Sequence, residues 1–367
     1  QYTRTMDRWR MLLGAVCVWM TQSARAELFV SDFNRHVVQR HSETTGAFLG
    51  LFVPNTDRRL DLPHGLAFGP DGHLYVASAG NDRVLRYHGT TGAFLDVFAG
   101  PESGLDYPVS LIFRPDGMLY VSSQLNDRVL RFRASTGALV DVFVAASPAL
   151  DGPSDMVFGP EGHLYVVGRF NHRVVRYDGT TGAFLDVVVD GGLSQPFGVR
   201  WSPLGDLLVV NGNQDRIQRF DGRTGADRGV FASGGGLRLP VGMVYGPDAN
   251  LYVAGYSSGA VVRYDSLTGA FLGVFVTPGS GGLSGPNFMV FRPTPGSPLP
   301  LQMTVNGPEA VLQWPARSIP SVLEAADTPG TGPWERVQRA PQSDGVTQAV
   351  TVPLEGNAGF FRRRPLE

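Results

Sequence analysis

Residues 63–98 read PHGLAFGPDGHLYVASAGNDRVLRYHGTTGAFLDVF, and the fold is decided by this stretch. It holds four short apolar or β-branched runs, near 65–69, 73–78, 83–88 and 93–98. Turn residues separate them: Pro70-Asp71-Gly72, Ala79-Gly80-Asn81-Asp82 and Gly89-Thr90-Thr91-Gly92. Glycine supplies the positive φ that tight hairpins need, and Asn or Asp bonds its own backbone. Runs of this length joined by such turns predict four successive antiparallel strands.

The unit recurs along the chain. Segments starting at Leu28, Leu74, Leu119, Leu164, Leu207 and Leu251 align, spaced by 46, 45, 45, 43 and 44 residues. Short strands are entered through Pro63, Pro108, Pro153, Pro196, Pro240 and Pro286. A four-stranded unit cannot cover both of its faces alone, but neighbours in a ring cover them. The period therefore predicts radially packed blades. The first unit, near 28–53, lacks an inner strand before it, and one spare inner strand, Asn287 to Phe291, follows the last unit. Joining the two gives six complete blades and protects edges that would otherwise seek partners. A linear β-solenoid would leave the spare strand unexplained. The expected fold is all-β: a six-bladed β-propeller over residues 27–292 with a small C-terminal β-sandwich-like module.

Composition agrees with turn-rich β structure, with 47 glycines and 27 prolines spread between apolar stretches. Formal charge is −2, from 31 basic and 33 acidic residues, which gives no electrostatic case for nucleic acid or an anionic membrane. At the N-terminus, Arg8 and Arg10 precede the apolar segment Met11 to Met20, and Ala24-Arg25-Ala26 stands before Glu27. This pattern predicts an export signal over 1–26 with cleavage before Glu27, and hence a secreted, periplasmic or cell-envelope location. The apolar run is too short to span a bilayer comfortably, so no stable membrane insertion is expected after cleavage. The only cysteine, Cys17, lies inside this segment, so the mature chain has no disulfide to rely on.

Residues 293–300 form a proline-rich linker, and the texture then changes. Leu301 to Val305, Ala310 to Trp314, Trp334 to Val337, Val346 to Leu354 and Gly359 to Phe361 read as the strands of a small module over 301–367. Trp314, Trp334, Phe360 and Phe361 suit either a hydrophobic core or a sugar platform.

The pattern Pro-x-Gly-φ-x-Phe-Gly-Pro-Asp-Gly-x-Leu-Tyr-Val, followed by Asn-Asp-Arg-Val-x-Arg-Tyr, resembles the NHL-repeat propellers over about residues 27–292. It is more distantly similar to streptogramin-lyase-like and gluconolactonase-like propellers. That resemblance implies the propeller fold and leaves function open, because enzymes and binding scaffolds share it. The ends of the last module resemble small β-sandwich modules on exported bacterial proteins.

Propeller ligands sit over the central channel where the innermost strands begin. The positions just after each entering proline are His64 and Gly65, Val109 and Ser110, Ser154 and Asp155, Phe197 and Gly198, Val241 and Gly242, Asn287 and Phe288. They vary while the strand bodies repeat, which reads either as a site grafted on a frame or as channel packing. His64, Ser154, Asp155, Phe197 and Asn287 are the ligand-binding candidates. His64, Asp155 and Asn287 would be the donors for a calcium or zinc ion, the one cofactor considered. The lyase-like pattern implies further histidine and glutamate at this mouth, and the lactonase-like pattern an acidic ligand set. Neither set is present intact. No Walker-type loop occurs. The loops Asn81-Asp82, Asn126-Asp127 and Gln214-Asp215 read as turn stabilisers rather than calcium ligands. The repeated Arg83, Arg128, Arg173 and Arg216, and Arg86, Arg131, Arg176 and Arg219, read as ion-pairing side chains that cover apolar surface. The leading expectation is a non-enzymatic exported scaffold binding protein, peptide or carbohydrate through its channel-mouth loops. The alternative is a metal-assisted lyase or lactone hydrolase at the same mouth.

Overall fold

The four-run repeat folds as its turns dictate. In the computed structural model the residues described are 27–292, together with the backbone of seven strands between 302 and 365. In the second blade the strands are Pro63–Phe68, Leu74–Ser78, Arg83–Tyr87 and Phe94–Ala99, paired antiparallel in that order. Four further blades repeat this arrangement, with inner strands Pro108–Phe113, Pro153–Phe158, Pro196–Trp201 and Pro240–Tyr245. The remaining blade joins both chain ends: Pro286–Arg292 pairs with Glu27–Asp32, matching Leu28 to Phe291 and Val30 to Met289. The fold is an all-β six-bladed propeller, and the inner strands touch one another in a closed ring.

Three recurrent devices explain why this motif makes blades. The tyrosine of the Leu-Tyr-Val strand reaches back to the acid of the preceding turn. Tyr75, Tyr120, Tyr165 and Tyr252 donate to Asp71, Asp116, Glu161 and Asp248 at 2.5–3.2 Å. The Thr-Gly turn is the point of closest approach between blades. Gly92 has φ +70°, and a Cβ there would lie 1.9 Å from the Phe52 carbonyl oxygen of the preceding blade. Gly46 stands in the same relation to Phe275, at 1.8 Å, so the ring is also closed at its outer rim. The third device is the residue before the third strand, which takes left-handed φ and caps the next blade. Asp82, Asp127 and Asp215 accept the backbone N–H of Tyr107, Gly152 and Leu239 at 2.7–2.8 Å. His36 and His172 do the same for Leu62 and Gln195 through Nδ1, at 3.0 and 3.1 Å. The Asn-Asp loops are thus blade clasps, and two histidines serve as their stand-ins.

The core lies between the blades. Leu74, Tyr75, Val76 and Ala77 are fully buried, as are their counterparts at Leu119, Leu164 and Leu251. In three repeats the second arginine pairs with the outer strand: Arg86 Nε donates to Asp96 at 3.1 Å, Arg131 to Asp141 at 3.0 Å and Arg176 to Asp186 at 3.0 Å. Arg40, Arg219 and Arg263 face Glu27, Asp206 and Asp248 instead. These pairs are partly exposed, so each adds little stability.

Beyond the propeller, Gln302–Asn306, Glu309–Pro315, Thr347–Pro353 and Gln342–Ser343 pair in one sheet. Ser321–Ala326 pairs with Glu335–Arg336 and Phe360–Pro365 in another. Residues 1–26, read above as an export signal, residues 293–300, read as a linker, and the side chains of Trp314, Trp334, Phe360 and Phe361 lie outside the described residues. Among the described residues no helix is long and apolar enough to cross a membrane.

Candidate functional site at the channel mouth

Each inner strand begins at its proline and delivers the first or second residue after it to the propeller axis. Phe197, Val109, Val241 and Phe288 come from four different blades yet share one buried apolar cluster with Leu237 and Met243. Val109 has no neighbouring blade among the others, so it meets them across the axis. Hydrophobic side chains therefore plug the channel just below its mouth.

His64 lies at the rim of this plug and is 4% exposed. The Asn287 amide donates to its Nδ1 at 3.0 Å, which leaves the hydrogen on Nε2, facing the Tyr107 hydroxyl at 3.4 Å. Phe33 and Tyr107 pack edge-on against the imidazole, with centroids at 5.2 and 5.4 Å. Burial, reinforced by the nearby charge of Arg169 and only partly offset by Asn287, pushes the His64 pKa down to about 3. Between that value and the ordinary 6.5 the unfolded chain binds a proton that the folded chain does not, so stability rises with pH. The contribution is complete above about pH 6.5 and is lost as the pH falls towards 3, at roughly 1.4 kcal/mol per unit. His41, also buried with its pKa lowered, contributes with the same sign. His64→Gln should therefore flatten, without abolishing, the slope of unfolding free energy between pH 6 and 4, measured in urea at several pH values. An unchanged slope would contradict the burial argument.

Asp155 takes no part in this group. It is 1% exposed and accepts hydrogen bonds from Ser110 Oγ at 2.7 Å, Met156 N at 2.9 Å, Val199 N at 3.2 Å and Arg200 Nη1 at 2.6 Å. Ser154 ties blades together, donating to the Phe197 carbonyl at 2.9 Å. The structure thus joins His64 to Asn287, buries Phe197 in the plug and places Asp155 against Arg200. With the Asp155 oxygens occupied and Nδ1 of His64 accepting from Asn287, these residues do not fit a calcium or zinc ion. Among the described residues no three His, Cys, Asp or Glu side chains are grouped to hold a metal.

Two sets of residues at the axis escaped the sequence reading. Arg200 sits where sister blades carry Ala67, Ile112, Val157, Val244 and Val290, and this break in an aliphatic column was its signal. The second set is a ring one layer above the plug: Phe33, Ala79, Gln124, Arg169, Gly212 and Tyr256. Each donates its backbone N–H to the carbonyl of the residue before its blade's entering proline, at 2.9–3.2 Å. These positions vary as widely as those after the prolines, but they lie far from them in sequence. Phe33 and Tyr256 pack edge-on at 5.9 Å, and the Tyr256 hydroxyl donates to Asn34. Tyr107, which precedes an entering proline, has φ +57°, an uncommon value that turns it over the mouth.

A closed ring of six four-stranded blades with a side-chain plug and a variable rim defines a six-bladed β-propeller. No family model matches the chain, and no curated protein matches it in sequence. Among solved structures it is similar to a chain in the crystal structure of a nidogen/laminin complex. That match has a TM-score of 0.60 at 17% identity and covers 73% of this chain and 99% of that one. It is also similar to a catalytically inactive virginiamycin B lyase from Staphylococcus aureus with quinupristin, with TM-score 0.47 and 18% identity, over 63% of this chain and 74% of that one. At these identities the similarity to the first establishes the fold alone, and the second carries no weight.

Proposed function

We propose that this protein is an exported, non-enzymatic propeller of the NHL-repeat kind whose channel mouth binds a segment of a protein or peptide. The observation that carries this reading is the plug: Phe197, Val109, Val241 and Phe288 fill the axis, so a ligand rests on the rim. A rigid ring presenting variable side chains at one rim is suited to recognition, since little order is lost on binding. A chain of similar fold stands in a nidogen/laminin complex, in keeping with a protein partner. The lining favours peptide over sugar. The hydroxyls of Tyr107 and Tyr256 are engaged with His64 and Asn34, and the neighbouring faces are phenyl rings. Export rests on the sequence of residues 1–26.

Display of a random peptide library on the mature protein, alongside a glycan array, tests the reading. Peptides retained by the wild type and lost by a Phe33→Ala, Tyr256→Ala variant that melts normally would support it. Peptides retained equally by both would move the site elsewhere. Cell fractionation with amino-terminal sequencing tests export, and a processed chain starting at Glu27 is the expected result.

A further inference from the structure

Arg169 is set apart from the other arginines. It belongs to the upper ring, where the equivalent residues are Phe33, Ala79, Gln124, Gly212 and Tyr256, none of them charged. Its guanidinium carbon lies 4.1 Å from the centre of the Phe197 ring and 5.6 Å from that of Phe170. Its Nε is buried without a hydrogen-bond partner, as in Arg40, Arg216, Arg219 and Arg263, so a ligand can meet it only through the terminal Nη groups. No carboxylate among the described residues pairs with it, whereas the repeated Arg86, Arg131 and Arg176 each hold an aspartate. Its charge is felt by His64, which burial already keeps neutral. In the neighbouring blade the buried Gln124 amide nitrogen also lacks a partner.

A half-buried guanidinium stacked on a ring and unpaired is an incomplete arrangement. Its planar face is satisfied by Phe197, while its terminal Nη1 and Nη2 groups suit a two-oxygen acceptor approaching end-on. We infer that the channel mouth is a carboxylate site: Arg169 binds the carboxylate of an acidic peptide whose apolar portion rests on Phe33, Tyr107 and Tyr256. This rests on the reading of the mouth as a peptide-binding rim and adds the chemistry that the peptide must carry. Phosphate suits the mouth less well, because a dianion needs several cations and donors and only one guanidinium stands in this ring.

The experiment uses the peptides selected by the mature protein, synthesised singly, with their affinities measured by titration calorimetry for wild type, Arg169→Met and Arg169→Lys. Selected peptides should share an Asp, a Glu or a free C-terminal carboxylate at one position, and amidated or Gln/Asn versions should report which. Arg169→Met should weaken binding about ten- to a hundred-fold, and Arg169→Lys should fall between, since it keeps the charge and loses the fork. All three proteins should melt alike, because no ion pair is broken. Peptides without an acidic position, bound equally by Arg169→Met, would overturn the carboxylate site and leave the peptide-binding rim standing. Failure to select any mouth-dependent peptide would overturn both. Binding of oligo-uronates in an Arg169-dependent way, without peptide binding, would replace the peptide by an acidic sugar.

Discussion

Asp155→Ala should cost the protein about 3–5 kcal/mol of unfolding free energy, the largest loss expected from a single side chain at the axis. The carboxylate accepts four hydrogen bonds and joins three inner strands, through Ser110, Met156, Val199 and Arg200. Its removal strands the Arg200 guanidinium beside the channel and leaves backbone donors unpaired. An uncompensated charge at a protected site costs far more than the intact pair contributes. The sister blades suggest the control. Glycine stands at the position of Asp155 in three of them, as Gly65, Gly198 and Gly242, and aliphatic residues replace Arg200 in the other five. Asp155→Gly combined with Arg200→Val should recover more than half of the loss, because the stranded charge goes with its partner. Urea denaturation of the two single variants and the double decides the matter. Strictly additive losses would mean that the two side chains act separately.

Asp32→Ala should loosen the ring at its seam, at a cost on the order of 3 kcal/mol for several buried donors left without an acceptor. Asp32 is fully buried and belongs to the strand Glu27–Asp32, yet most of its partners lie at the other end of the chain. It accepts from Ser284 N at 3.2 Å, Ser284 Oγ at 3.3 Å and Gly285 N at 3.1 Å, and from Gln39 Nε2 at 3.3 Å. Beside it the pairing with Pro286–Arg292 shifts register, and Ser31 spans the gap by donating to the Phe288 carbonyl and accepting its N–H. Without Asp32 the closing strand keeps its ladder but loses its anchor. Native-state hydrogen exchange followed by mass spectrometry should show faster exchange in 284–292 and 27–32 than in the other inner strands. Equal acceleration in all six blades would place the seam's strength elsewhere.

Much of the frame can be read from the chain because its causes are local and repeated. Pro70-Asp71-Gly72 and Gly89-Thr90-Thr91-Gly92 make their turns wherever they stand, and six copies average out the ambiguity of any one short apolar run. The spare strand near 287–291 had a place only in a closed ring, where it pairs with Glu27–Asp32. The mouth was less legible. The positions after the prolines were found, yet Asp155 turned out to hold Arg200 and Phe197 to fill the plug, while Arg169 and Tyr107 went unmarked. Arg169 stands after the second strand of its blade and Tyr107 before the first of another, and nothing in their spacing links them.

By itself, the sequence determined the strand count and turn positions of the propeller, which follow from backbone preferences and apolar periodicity within about 45 residues. It also determined the need for a ring, which follows from the spare strand at the far end. In the last module it missed Ser321–Ala326 and Gln342–Ser343. Tertiary structure alone decided which side chains converge on the axis, which carboxylates are already occupied and which cation is left over. Those outcomes depend on distances between blades, and a distance of a few ångströms across a ring leaves no periodic trace in the chain that forms it.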